Sequence, residues 1–148
     1  MGEVPSHEPR SVKVSGPATG FRTEVEVGGH HLVVDEPTAV GGTDHGPTPY
    51  EMLLAGLGAC TAMTLRIYAD RKKWPLERAR ISLIHRKVHA KDCVDCVNKP
   101  AKMDVVDRVI TLDGALTEEQ RTKLLEIAQR CPVGQTLNSK IEINTRLA

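Results

Sequence analysis

At 148 residues the chain suits a single domain with a true hydrophobic core. Its net charge of +1 supplies neither a basic field for nucleic acid nor an acidic tail. Four aromatic residues, Phe21, Tyr50, Tyr68 and Trp74, are too few for a base-stacking surface, so nucleic acid is not an expected partner.

In chain order, residues 1–10 (MGEVPSHEPR) are polar, hold two prolines and lack an apolar leader core. They are expected to form a flexible arm ahead of one domain, 11–148, in a cytoplasmic protein. Residues 11–15 alternate valine with polar residues, as a short strand does. In 21–27 (FRTEVEV), Phe21, Thr23, Val25 and Val27 share one face and Arg22, Glu24 and Glu26 the other. Gly28-Gly29 is a two-residue hairpin turn, and 30–35 (HHLVVD) returns as a third strand. A loop rich in glycine and proline, 37–49, follows.

The longest predicted helix begins at the end of that loop. Thr48 is its N-cap, Pro49 its first residue, and Glu51 falls three residues after the cap. An uncharged run extends from Met52 to Leu65, with Cys60 near its middle. That run is shorter than the roughly 20 apolar residues a bilayer requires, so a buried core helix is expected and no membrane. Leu53, Leu57, Cys60, Thr64 and Ile67 recur at helical spacing, which places Cys60 on or beside the buried stripe. Gly56, Gly58 and Ala59 remove bulk there and suit a close approach by another segment.

Beyond Trp74-Pro75, residues 79–90 read as a long strand, and 103–112 (MDVVDRVITL) as another with Val106, Ile110 and Leu112 facing inward. Thr117-Glu118-Glu119-Gln120 is a second capping box, and the helix it opens sets Leu124, Ala128 and Cys131 on one face. Pro132 breaks that helix, a short helical turn follows, and 140–146 (KIEINTR) alternates as a closing strand. The order is βββαββαβ, an α+β fold with helices on one side of a mostly antiparallel sheet.

The thiols raise the question of chemistry. In a reducing cytosol four cysteines indicate redox or metal chemistry ahead of structural disulfides. Two buried cysteines acting as small hydrophobes are the plainer explanation of Cys60 and Cys131. Cys93-Val94-Asp95-Cys96 is a zinc half-site or a redox dithiol. No second CxxC accompanies it, and Asp92, Asp95, His85 and His89 match no zinc-finger spacing. A surface dithiol is the leading reading, with zinc at Cys93 and Cys96 the alternative, and no other metal or cofactor is expected. His30 and His31 read as surface histidines, while His45, just ahead of the helix cap, is kept as a pocket residue.

The segment GPTPYEMLLAGLGACTAMTLRIYA, followed some seventy residues later by RCPVGQTL, resembles the OsmC/Ohr family of thiol-dependent peroxidases, in particular its YhfA-related branch. The resemblance runs from about Phe21 to the C-terminus. It implies an intertwined homodimer whose central helices pack together, with active sites at the interface. It also implies that Cys60 is the peroxidatic cysteine and Cys131 the resolving one, with an arginine–glutamate pair near the thiolate. Arg22 matches the arginine. The glutamate departs from the pattern, because Tyr50 occupies its usual place and Glu51 comes one residue later, about 100° around the helix. Glu51 also completes the Thr48 capping box, so cap and site roles both stand open.

Chemically, a mid-helix thiol gains little from the helix dipole and needs a cation, for which Arg22 is the candidate. Leu53, Leu57 and His45 are expected to line the pocket, and apolar neighbours favour an organic hydroperoxide over a small polar one. The expected partners are a second copy, the hydroperoxide and an external dithiol reductant. Two alternatives are a redox-sensing or small-ligand-binding protein, and a hydrolase with Cys60 as nucleophile and His45 or Glu51 as base.

Overall fold

The computed structural model describes residues 10–89 and 102–148. Most of the expected N-terminal arm, together with Cys93 and Cys96, lies outside the described residues. The chain has two compact units, Met1–Met52 and Leu53–Ala148.

The first unit is a three-stranded antiparallel meander, β1 (Val12–Ser15), β2 (Thr23–Val27) and β3 (His30–Val34). Gly28 and Gly29 have φ of 53° and 79°, the paired positive values that a two-residue hairpin turn requires. The register sets Val25 opposite Leu32, and Val25 is the buried residue of β2. The loop after β3 is organised by Asp35, which is 1% exposed. Its carboxylate accepts the Thr43 hydroxyl at 2.5 Å and the Glu36, His45 and Thr43 amides at 2.8, 3.2 and 3.3 Å.

The Thr43 hydroxyl, foremost among these donors, holds the Asp35 carboxyl at about 2 in spite of its burial. Because this value lies below the unfolded one of about 3.9, the stabilisation is full above about pH 4 and is lost as pH falls through about 2. Urea midpoints should therefore drop more between pH 5 and pH 2.5 for wild type than for Asp35→Asn. Parallel drops in the two proteins would show that Asp35 is not the source.

The second unit holds most of α1 (Pro49–Lys72), the hairpin of β4 (Arg78–His89) with β5 (Lys102–Asp113), α2 (Glu118–Ala128) and α3 (Pro132–Leu137). Both predicted capping boxes are present. Thr48 and Glu51 exchange bonds of 2.7 and 3.2 Å, and Thr117 and Gln120 bonds of 3.0 and 3.1 Å. The helix outlasts its uncharged run, and by length and composition alone its 24 residues could cross a membrane. Its inner face, however, is seated in a core of Leu65, Ala69, Leu76, Leu124, Ile127 and Ala128, with Ile81, Ile110 and Leu112 of the hairpin packed against it. The opposite face of the hairpin is exposed at Ile84 and Val109.

The α+β class, the antiparallel sheets and the long helix are as expected, with two differences. The inward stripe of α1 is Leu57, Gly58, Thr61, Leu65 and Ala69, so the helix is turned from the predicted stripe, and Leu53 and Ile67 are exposed. Gly58 explains part of this, since a Cβ there would lie 2.8 Å from Leu83 Cδ1, whereas one on Gly56 would meet nothing within 4 Å. The second difference is the closing strand. Residues 140–146 form no strand, and Ile143 is 83% exposed. Alternation alone does not make a strand, because its backbone groups need a neighbouring strand to bond.

Candidate active site

Cys131 sits between α2 and α3, fully buried, and is the N-cap of the short α3. The break arises because Pro132 has no amide hydrogen to continue α2 but suits the first position of a new helix. This turns the Cys131 sulfur back over α3, where it accepts the Gly134 amide at 3.3 Å. The turn needs glycine, since a Cβ at position 134 would lie 2.9 Å from that sulfur and 3.5 Å from Leu57 Cδ1.

Two further groups reach the sulfur. Thr61 Oγ1, on α1, lies 3.6 Å away, and Arg108 Nη1, on β5, lies 3.5 Å away. Arg108 also donates to Thr61 Oγ1 at 2.8 Å, which closes a triangle of arginine, threonine and cysteine. Burial raises the Cys131 pKa, but Thr61 beside the sulfur, the Gly134 amide and the Arg108 guanidinium together outweigh it, and the thiol is held below its ordinary value.

Cys60 is the residue before Thr61 on α1, about 100° around the helix, and is half-buried. Its thiol and that of Cys131 are both free. The structure thus brings Leu57, Thr61 and Cys131 together and places Cys60 next in chain to one of them. Leu53, on the exposed side of the helix, is 46% exposed.

The remaining candidates have local partners. Arg22 lies 3.5 Å from Glu24, which also meets His31 at 2.8 Å. Glu51 closes the helix cap. His45 Nδ1 is 2.7 Å from Thr43 Oγ1. The Thr43 proton is already given to Asp35, so Nδ1–H donates to Thr43. Among the described residues no group of three or more His, Cys, Asp or Glu is placed to hold a metal ion.

Thr61 and Arg108 were not among the sequence candidates. Arg108 carried a signal nonetheless, because it lies between Val106 and Ile110 in the period-two pattern of an inward face.

The family model described as OsmC-like protein matches residues 42–146, well over half of the chain. The chain belongs to the OsmC-like family. Among curated proteins this OsmC-like chain finds no match. Among solved structures it is similar to the organic hydroperoxide resistance protein OsmC of Legionella pneumophila, at TM-score 0.65 and 19% identity, covering 89% of this chain and 90% of that one. It is similar also to a putative osmotic stress induced and detoxification response protein of Psychrobacter arcticus, at TM-score 0.66 and 18% identity over 90% and 91%. A third is an organic hydroperoxide resistance protein of Elizabethkingia anophelis, at TM-score 0.65 and 19% identity over 94% of each chain. At these identities the likeness establishes the OsmC fold.

Proposed function

We propose that this OsmC-like protein is a cysteine peroxidase that reduces organic hydroperoxides in oxidative stress defence. Family membership and the hydroperoxide-resistance proteins among its structural neighbours support the peroxide-resistance role. The observation that carries the finer reading is the contrast between its two described thiols. Cys60 is partly open to a small molecule, whereas Cys131 is closed to solvent yet biased towards thiolate.

In the proposed cycle the Cys60 thiolate attacks one oxygen of the hydroperoxide. The O–O bond breaks, the alkoxide leaves and takes a proton, and Cys60 becomes a sulfenic acid. The Cys131 thiolate then attacks the Cys60 sulfur, the S–S bond forms, and hydroxide leaves as water once protonated. An external dithiol restores both thiols by exchange. The cycle needs no metal or prosthetic group. Arg22 enters it through the family resemblance as the cation for Cys60, with Glu51 as its partner, and Leu53, Leu57 and His45 enter as pocket residues. The location proposed is the cytoplasm, where the thiols are kept reduced. Thiol-dependent consumption of cumene hydroperoxide by wild type against Cys60→Ser tests the cycle, whereas ester turnover without peroxide would favour the hydrolase alternative.

The proposal includes a homodimer. Leu53, Met63 and Ile67 form an exposed apolar face on α1, and Gly56 beside them has open space. Covering such a face on a second copy removes apolar surface from water. Sedimentation at micromolar concentration should give twice the monomer mass of 16.2 kDa. A stable monomer would contradict this part of the proposal.

A further inference from the structure

We infer that Arg108, braced by Thr61, sets the ionisation of Cys131 and thereby the speed at which the disulfide closes. The inference rests on the proposed cycle only for the second of these effects.

Arg108 occupies an unusual place. On β5 it is paired with Leu83 of β4, and its face of the hairpin also carries Ile81, His85, Val106 and Ile110. A half-buried guanidinium on such a face is costly without a partner. Two other hairpin arginines have carboxylates, Arg80 with Asp113 at 2.8 Å and Arg86 with Asp107 at 2.7 Å, and Arg78 is exposed to water. Among the described residues Arg108 has none, and its side-chain bonds go to Thr61 and Cys131. The only group of this triangle that can become an anion is the Cys131 sulfur.

Thr61 acts chiefly through Arg108. A hydroxyl has one proton, and Thr61 Oγ1 is 2.8 Å from the Leu57 carbonyl but 3.6 Å from the sulfur. The carbonyl therefore takes the proton, and the Thr61 lone pairs hold the Arg108 Nη1 in place. The other titratable or charged groups beside members of this triangle are Cys60, next in chain to Thr61, exposed Arg130, next in chain to Cys131, and His85, on the hairpin face of Arg108. His85 lies 2.8 Å from Asp104. The charged group that bonds the sulfur is Arg108, at 3.5 Å.

The ionisation is read with Cys131 as the only thiol, in full-length protein carrying Cys60→Ser, Cys93→Ser and Cys96→Ser. Ultraviolet thiolate absorbance is followed against pH. Adding Arg108→Met should raise the midpoint by at least about one unit, as expected on removing an opposite charge within a few ångströms. Arg108→Gln carries the same expectation if methionine disturbs the hairpin. Arg108→Lys should recover part of the shift, because it restores charge without the fork. An unchanged midpoint in Arg108→Met or Arg108→Gln, or no recovery with lysine, overturns the inference. This readout involves no peroxide, so its failure is distinct from failure of the proposed function.

The closure rate is read in protein with all four cysteines, by trapping the Cys60 sulfenic acid after one equivalent of cumene hydroperoxide. A thiol one unit less acidic is tenfold less ionised below its midpoint but about threefold more nucleophilic. Disulfide formation in Arg108→Met should therefore slow roughly three- to fourfold, with trapped sulfenic acid rising in step. Closure at the wild-type rate, with the midpoint shifted, would overturn the kinetic half of the inference.

Discussion

Cys60→Ser should reduce the thiol-dependent consumption of cumene hydroperoxide to the uncatalysed background. Serine at neutral pH is not ionised and cannot replace a thiolate as nucleophile. Cys131 cannot take over, because its side chain has no exposed surface for a bulky hydroperoxide to reach. Cys131→Ser should behave differently. The first equivalent of peroxide should still be reduced, and the sulfenic acid, lacking its internal partner, should pass on to sulfinic acid with further peroxide. Mass spectrometry of Cys60 after one and ten equivalents separates the two variants. Equal turnover in wild type and Cys60→Ser would end the peroxidase reading.

Leu65→Ala should cost about 2–5 kcal/mol, a large share of the 5–15 kcal/mol that holds a typical domain together. Leu65 has no exposed surface and lies in the cluster formed with Leu76, Leu124 and Ile127. Its removal would leave a cavity bordered by α1, α2 and the start of β4, elements whose hydrogen bonds limit how far they can collapse. Ile143→Ala, at a side chain 83% exposed, should change stability by no more than about 0.5 kcal/mol. Urea midpoints of the two variants check the contrast. A loss under about 1 kcal/mol for Leu65→Ala would mean that α1 does not present this face to the core.

The elements with local determinants were legible in the sequence. The Gly28-Gly29 turn, the Thr48 and Thr117 capping boxes and the Pro132 break each depend on residues within four positions of one another. The rotation of α1 was less accessible, because leucines and small residues occur almost all round it. Its facing was settled by where Gly58 meets Leu83 and where Thr61 meets Arg108, contacts made across the fold. The closing strand failed for a related reason, since 140–146 has the alternation of a strand but no described neighbour to bond. At the site, helical spacing to Leu124 and Ala128 put Cys131 on the core face, and its role came from the family resemblance. Arg108 belongs to no local motif, although its place between Val106 and Ile110 puts it on the inward face.

Trp74 is the only tryptophan in the chain. Its ring meets Tyr68 edge-on at 5.5 Å, and it packs on the core of Leu53–Ala148. The intrinsic emission is therefore a gauge of that unit, whereas the strands of Met1–Met52 contain no fluorophore of comparable strength. Loss of the Asp35-centred loop in acid could leave the tryptophan spectrum unchanged while circular dichroism records a loss of sheet. Two optical signals with separate midpoints would then mark the loosening of one half of the molecule ahead of the other.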